Sequence, residues 1–532
     1  MERVLEIGRH LSIEDALDGA SAPRRLTWNA AARKRATASA ARITRAVAKS
    51  EWIYGVTTGF GSNAIHGIAP EDAERLQENL LVSHAFGAGE PFADEVVRLA
   101  LLLRTHALAR GYSGIRPSTV EALIALSEAD ILAVVPRQGS VGASGDLSPL
   151  SYLALPLLGR GRVRRDGREM DARSALKLAG LAPIKLTHKE GLALVNGTQV
   201  TLACALLALD ASLTAMLTAD VSAALTTEAL AGRSAALDPR IHEARGQAGQ
   251  IRSAASIRAI VRGSRLVDAP TESIPGKRKA PQDAYGIRCA PQVHGAAGDG
   301  LAYAYHVLAT EIDAATDNPL VFGDDVLSGG NFHAMPVALA ADHLKLCVHT
   351  LGAISERRTA TLVDAHLNEG LPPYLAPIPA LHSGFMLPQY AAAAIVSENK
   401  VLCHPASADS IPTGANIEDH VSMGTTAAKN AMTVADNVHT VLAIELMAAA
   451  QAIELRDLRP SPRSARVVAL VRQALPHRRE DVAWGDALEQ VRALVRSGMV
   501  AVTAMGGAAS NAGTQRPAKK RSKRRTKNGA RR

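Results

Sequence analysis

Two stretches of this chain, Val200–Ala231 and Gly424–Leu455, run for about thirty residues each, rich in alanine and leucine with few helix breakers. Strands do not reach that length in globular domains, and alanine is the strongest helix former, so each stretch reads as one long helix. A long helix that is apolar on most sides must be covered along its length, which calls for neighbouring helices. The chain has 47% hydrophobic but only 3% aromatic residues. Small apolar side chains in that ratio favour closely packed helices over a β-sandwich. Shorter helical patterns are expected at Ile13–Leu17, Trp28–Ala48, 97–134 with a break at Gly111–Pro117, Leu150–Leu158, up to about Val363, and 462–506. Asp171–Ala182 reads as a small exposed insertion.

Several function classes are disfavoured by composition. The four cysteines, Cys204, Cys289, Cys347 and Cys403, lie far apart with no C-x-x-C pair, so neither a disulfide framework nor a zinc site is suggested. The N-terminus MERVLEIGRH has no apolar h-region, and Leu192–Leu217 is interrupted by Asn196, Gln199 and Asp210. Neither a signal peptide nor a membrane span is expected, which places the chain in the cytoplasm. The net charge is +9, yet ten of the Lys and Arg residues lie between Arg516 and Arg532, leaving 50 basic against 51 acidic residues elsewhere. The basicity is therefore a tail, 513–532, which reads as disordered. It raises a nucleic-acid-binding reading through residues 516–532, with binding that weakens steeply in salt.

The stretch with the most chemistry is Gly139–Leu150, GSVGASGDLSPL. Its glycines and serines allow an unusually tight turn. Composition alone reads it as a loop before a helix. A serine-hydrolase elbow fails on spacing, because Asp146 stands where G-x-S-x-G requires glycine. A third reading is covalent. The Gly145 nitrogen, with no Cβ beside it, attacks the Ala143 carbonyl carbon. Loss of water from the ring and from the Ser144 side chain then leaves a five-membered ring bearing an exocyclic methylene. A helix starting just beyond would set its positive dipole end beside that ring.

Other runs place polar or aromatic residues in glycine-rich or apolar settings. Tyr54 opens YGVTTGFG, a loop with close backbone approach, and by itself reads as a packing tyrosine. His84 joins the helical NLLVSH to the glycine loop AFGAGEP, a place for a cap or a core histidine. Asn196 in KEGLALVNGTQ is an amide in an apolar run, so it caps the next helix or bonds a buried group. Gln282, Tyr285 and Arg288 put three polar groups within seven residues of PQDAYGIRC, after the polar Ser264–Lys279 segment. Phe332 in SGGNFHAMP and Met386 in HSGFML each read as core residues. Glu418, Asp419 and His420 could form part of a metal site, but no H-x-x-x-H partner stands nearby, so no metal is expected.

The run GASGDLSPLSYLALPLLG, with YGVTTGFG, NLLVSH, KEGLALVNGT, QDAYGIR, SGGNFHA and EDHVSM, resembles the family of histidine, phenylalanine and tyrosine ammonia-lyases and their aminomutase relatives. The matching motifs lie in at least seven places between about residues 50 and 430, in the same order. The resemblance implies a mainly α fold with a central bundle of long antiparallel helices and a smaller mixed N-terminal part. Residues 1–199 would form the N-terminal domain, 200–460 the bundle and 461–512 the C-terminal helices.

It also implies the electrophile 4-methylidene-imidazol-5-one, made autocatalytically from Ala143, Ser144 and Gly145 with no external cofactor. Tyr54 would be the catalytic base, Tyr285 would act near the ring or the substrate amine, and Glu418 would act near the substrate side chain. Arg288 would hold the substrate carboxylate as a planar bidentate donor. Asn196 and Gln282 would orient polar atoms around the ring, Phe332 would pack near it, and His84 and Met386 would shape the side-chain pocket. The small amino-acid substrate would be bound in a homotetramer whose sites draw on more than one subunit. The histidine of NLLVSH, the methionine of SGFM and the glutamate of EDHVSM are those of the histidine-specific members, so L-histidine would give trans-urocanate and ammonia. Met335 and Ile417 depart from that group, which commonly has glutamate and glutamine there. They favour the alternative of a phenylalanine or tyrosine ammonia-lyase, or an aromatic 2,3-aminomutase, on the same scaffold.

Overall fold

The computed structural model describes residues 4–277, 280–376, 378–477 and 480–507; the expected disordered tail lies outside them. The two alanine-rich stretches are helices, Gln199–Ala229 and Gly424–Glu454, and they pack against a third long helix, Met335–Val363. Their direction can be read from paired residues. Thr201 meets Thr425 near both starts, and Thr226 meets Glu445 towards the ends. Gly424 lies against Ala334, while Arg358 pairs with Glu445. These three central helices are therefore parallel, with their N-termini together, which corrects the expected antiparallel arrangement of the bundle; propensity and periodicity carry no information on helix direction. The Ala290–Ile312 helix runs antiparallel to them, with Glu311 bonded to Thr198 at one end and His294 beside Arg358 at the other. Where this helix crosses Ala248–Val261, a Cβ on Gly295 would stand 2.2 Å from the Gln250 nitrogen, so only glycine permits the approach.

By length and composition the Gln199–Ala229 and Met335–Val363 helices could cross a membrane. Here they are the centre of the bundle, covered by Ala290–Ile312, Met386–Leu402 and the C-terminal helices Pro462–Ala474, Gly485–Arg496 and Met499–Met505. The N-terminal part is mixed. Val4–Ile7 pairs in parallel with Arg25–Trp28, and Leu132–Ala133, Arg162–Arg165 and Arg168–Asp171 form an antiparallel sheet. Residues 172–178, expected to be exposed, form a helix that buries Ala172, Ala175 and Leu176. The apolar run after the Ala-Ser-Gly triplet is an α-helix only over Leu147–Ala154. It tightens to a 3₁₀ turn at Leu155–Leu158, where Pro156 has no N–H to continue the ladder.

The bundle interior holds a fully buried ion pair. Arg358 donates to both Glu445 oxygens at 2.6 and 2.8 Å, and the Thr226 and Ser355 hydroxyls donate to the same carboxylate. Both side chains have 0% exposure. Such a pair is tolerable because the carboxylate is bonded on both oxygens, and removing one partner strands the other charge. Glu445→Ala is expected to destabilise the fold by about 3–5 kcal/mol, whereas Thr226→Val costs about 1 kcal/mol. The midpoints of urea unfolding give the comparison.

Candidate active site

The loop Gly139–Asp146 is held from several sides. The Met423 N–H donates to the Val141 carbonyl and the Ser422 hydroxyl to the Gly142 carbonyl. The Ser140 hydroxyl bonds Asp146 Oδ1 and accepts from the Gly142 N–H. Asp146 itself is fully buried and takes bonds from the Thr201 backbone N–H, the Thr201 hydroxyl and the Thr425 hydroxyl at 2.7, 2.7 and 2.9 Å. Burial holds its carboxyl above the usual carboxylate range, opposed by these donors. Thr201 and Thr425 lie in the first turns of two parallel bundle helices. The positive ends of both helices thus face the loop, alongside that of the short Leu147–Ala154 helix.

The other side of the loop is a contact between two glycines. Gly145 (φ +76°) forms a bridge with Gly197, and a Cβ on Gly145 would fall 2.1 Å from the Gly197 carbonyl oxygen. The Asp146 N–H donates to that same oxygen at 2.6 Å. Next to it, Asn196 Nδ2 donates to the Ser144 carbonyl oxygen at 2.8 Å. The Ser144 hydroxyl points the other way and donates to Glu418 Oε1 at 2.6 Å. Glu418 is presented by a turn in which Ala415 and Asn416 both have positive φ, and its second oxygen accepts from Thr413.

Ser144 opens into a cavity of about 1070 Å³. Tyr54, His84, Ala143, Asn196, Phe332 and Glu418 line it as well, so seven of the expected site residues share one space. The Gly61 N–H donates to the Tyr54 hydroxyl oxygen at 3.1 Å, and Phe60 stands edge-on to the ring, which fixes the phenol. His84 closes the helix Ala73–His84 and exchanges a hydrogen bond with Ser83. Burial lowers its pKa below the ordinary value, opposed by the Leu80 carbonyl and the charge of Glu418. Of the two departures from the histidine-specific pattern, Ile417 lines the cavity, whereas Met335 opens the Met335–Val363 helix without lining it.

Gln282, Tyr285, Arg288 and Met386 are elsewhere. Asp283 is bonded to Arg233, just beyond the far end of the Gln199–Ala229 helix. Thr201, at the loop, is separated from that end by about 40 Å of helix. Gly286 lies against Arg358, and Gln389 bonds Glu356, which places the Met386 segment at that end too. There Tyr285 is exposed, the Arg288 guanidinium lies 4.4 Å from its ring, and Arg288 Nε is buried without a hydrogen-bond partner among the described residues. The expected site residues thus form two groups at opposite ends of the bundle.

Comparison with known proteins places this geometry. The aromatic amino acid lyase family matches residues 11–473. The chain belongs to the aromatic amino acid lyase family. It is 49% identical to histidine ammonia-lyase of Geobacillus thermodenitrificans over 472 residues, covering 88% of this chain and 92% of that protein. Among solved structures of this family, histidine ammonia-lyase from Trypanosoma cruzi superposes with a TM-score of 0.87 at 40% identity, covering 94% of this chain and 95% of the other. Tyrosine aminomutase from Streptomyces globisporus gives 0.89 at 34% identity, over 96% and 100% of the two chains. The mainly α fold is therefore that of the aromatic amino acid lyases and aminomutases, as the motifs implied.

Some lining residues of this lyase cavity escaped the sequence reading. Leu76, Asn79, Leu80 and Ser83 form one face of the Ala73–His84 helix, a spacing legible as a stripe but not as a site. The sequence reading does not single out His333 and takes up His420 only as part of a metal site; the two stack at 5.7 Å, joined by a bond from His333 to the His420 carbonyl. They come from segments 87 residues apart, and no local signal links them.

The His84 shift has a sign that can be tested. As pH falls below the ordinary histidine value of about 6.5, the unfolded chain takes up a proton that folded His84 resists, so folding stability falls with pH in that window. His84→Gln removes the effect. Its urea midpoint is expected to drop less than that of the wild type between about pH 7 and about pH 5.5.

Proposed function

We propose that the chain is a histidine ammonia-lyase, removing ammonia from L-histidine without oxidation to give trans-urocanate. The observation that carries this reading is the convergence of His84 and Glu418 on the cavity that Ser144 enters. A neutral histidine offers one donor and one acceptor, and a carboxylate offers acceptors only, so both can hydrogen-bond an imidazole. Against a phenyl ring, the hydrogen-bonding capacity that His84 does not spend on Ser83, and that Glu418 does not spend on Thr413 once the ring has consumed the Ser144 hydroxyl, would go unmet, at about 1–3 kcal/mol each.

The residues fit the expected prosthetic ring. Gly145 has no room for a Cβ, Asn196 donates to the Ser144 carbonyl oxygen, and the buried Asn196 Oδ1 has no partner among the described residues. Formed from Ala143, Ser144 and Gly145, the ring would supply an electrophilic methylidene carbon and so ease the departure of ammonia. The chain's other groups have separate tasks. Asn196 keeps a donor at the Ser144 carbonyl oxygen, and the clustered helix N-termini favour negative charge there. Tyr54 is the base for the substrate β-proton, its phenol fixed by Gly61 and Phe60. Glu418 and His84 orient the imidazole, and Phe332 packs beside them.

A second copy of the chain supplies the remaining groups. Arg288 binds the substrate carboxylate, Gln282 and Tyr285 approach the ring and the amine, and Met386 completes the pocket. The far end of the bundle supports this, because Tyr285, Leu381, Leu387 and Tyr390 are exposed apolar groups around those residues. The assembly is a homotetramer with shared sites. The four cysteines are unpaired, in keeping with a reducing cytoplasm. The basic stretch 516–532 has no part in the reaction.

Purified protein given L-histidine, L-phenylalanine or L-tyrosine separately is expected to form an ultraviolet-absorbing product, urocanate, from histidine alone, and Ser144→Ala to form none. Cinnamate or coumarate instead would move the assignment to the aromatic lyases, with Met335 and Ile417 the first residues to exchange. Sharing of the site has its own readout. Ser144→Ala and Arg288→Ala are each expected to be inactive, and co-expression of the two to restore part of the activity. No recovery in mixed assemblies would mean that each site is built from one chain.

A further inference from the structure

Arg104 is fully buried in the apolar Asp94–Ala109 helix, with 1% exposure, and does not line the Ser144 cavity. Its guanidinium donates to the Ala193 carbonyl, to the Asn196 carbonyl at 2.9 Å and to Gln199 Oε1 at 2.7 Å, all three of them uncharged acceptors. Gln199 in turn donates to Thr316 at 2.8 Å. A Cβ on Gly197 would stand 2.4 Å from Arg104 Nη1, so the guanidinium lies directly beneath the Asn196–Gly197 turn. Its acceptors are the end of one helix, Glu190–Val195, and the start of the next, Gln199–Ala229. The turn between them touches the Ala-Ser-Gly loop twice, through Asn196 to Ser144 and through Gly197 to Asp146. Burial pulls the guanidinium down to about 10, opposed by the charges of Asp317 and Asp146, and it stays cationic near neutrality.

We propose that Arg104 is a positioning residue: by clamping the Ala193–Gln199 turn it aims the Asn196 amide at the Ser144 carbonyl oxygen, both while the ring forms and during turnover. This rests on reading residues 143–145 as the ring precursor, but not on the identity of the substrate. The planar fork of arginine reaches three acceptors at once, which the single ammonium of lysine cannot do in the same geometry. Arg104 is bonded to the turn and not to the ring-forming residues, so its effect passes through Asn196 and Gly197.

The test is a double-mutant cycle on full-length protein with three readouts: the mass of the peptide spanning 143–145, kcat and KM for histidine, and oligomer size. Arg104→Lys is expected to keep the wild-type oligomer, to lose the two waters of ring formation more slowly, and to lower kcat at least roughly ten-fold with KM within about three-fold. In an Asn196→Ala background the same substitution should change kcat by less than about two-fold, because its route of action is already gone. Wild-type kcat and mass in Arg104→Lys would overturn the proposal, as would effects that multiply in the double mutant. If Arg104→Lys does not fold, Gln199→Met frees one side of the guanidinium without altering its charge, and the same cycle with Asn196→Ala decides by the same two criteria. Absence of the two-water loss in the wild type would overturn the ring assignment itself, and this inference with it. A product other than urocanate would overturn only the substrate.

Discussion

The site depends on one backbone contact, the approach of Gly145 to Gly197 with the Asp146 N–H bonded to the Gly197 carbonyl at 2.6 Å. No side chain can enter between the strands of that bridge. The contact fixes how far the Asn196 amide is from Ser144, how sharply the loop turns at Gly145, and where Asp146 is buried. Everything packed around it works to hold it. Arg104 supports the turn from below, the Thr201 and Thr425 hydroxyls take up the Asp146 carboxylate, and the Ser422–Met423 segment ties down the other limb of the loop.

The long helices serve this contact by their direction. An alternating up-and-down arrangement would have brought N-termini and C-termini together at each end. Here three long helices begin at the same place, so the donor-rich ends collect on one side of the loop. That arrangement requires long return connections, and the segments between the helices supply several residues that line the Ser144 cavity. Phe332 and His333 come just before one helix, and Glu418 to Met423 just before another.

The helical character of the chain was legible because alanine-rich runs of that length have one structural solution, whereas Ser144, Tyr54 and Asn196 stood out through the family resemblance of the short motifs that carry them, and the structure brings the three to one cavity. What could not be read was distance. QDAYGIR is set apart in the sequence only by its resemblance to the family motif, and nothing in it reveals that Arg288 lies at the opposite end of the bundle from Ser144. Direction was hidden for the same reason, since propensity and periodicity are blind to which way a helix points. Asp146 stands out in the sequence only as the residue that spoils a hydrolase motif, although it is the most heavily bonded side chain of the loop. Arg104 gives no signal because nothing in LALLLRTHALA names its partners, and only the fold brings the three acceptors to it.

The separation of the two groups of site residues has a consequence for how such a protein behaves in a cell. If the sites are shared between copies as proposed, folding and competence become distinct events, since a chain can reach its full native structure and still hold only half of each working centre. Under the shared-site reading, the first-order chemistry is gated by a second-order encounter, so specific activity falls on dilution although nothing unfolds. A lesion at one end of the bundle then disables a neighbour's chemistry rather than its own, and two differently damaged copies can rescue each other. Selection acts on the pair of ends together, although in a single chain they face away from each other across the length of the bundle.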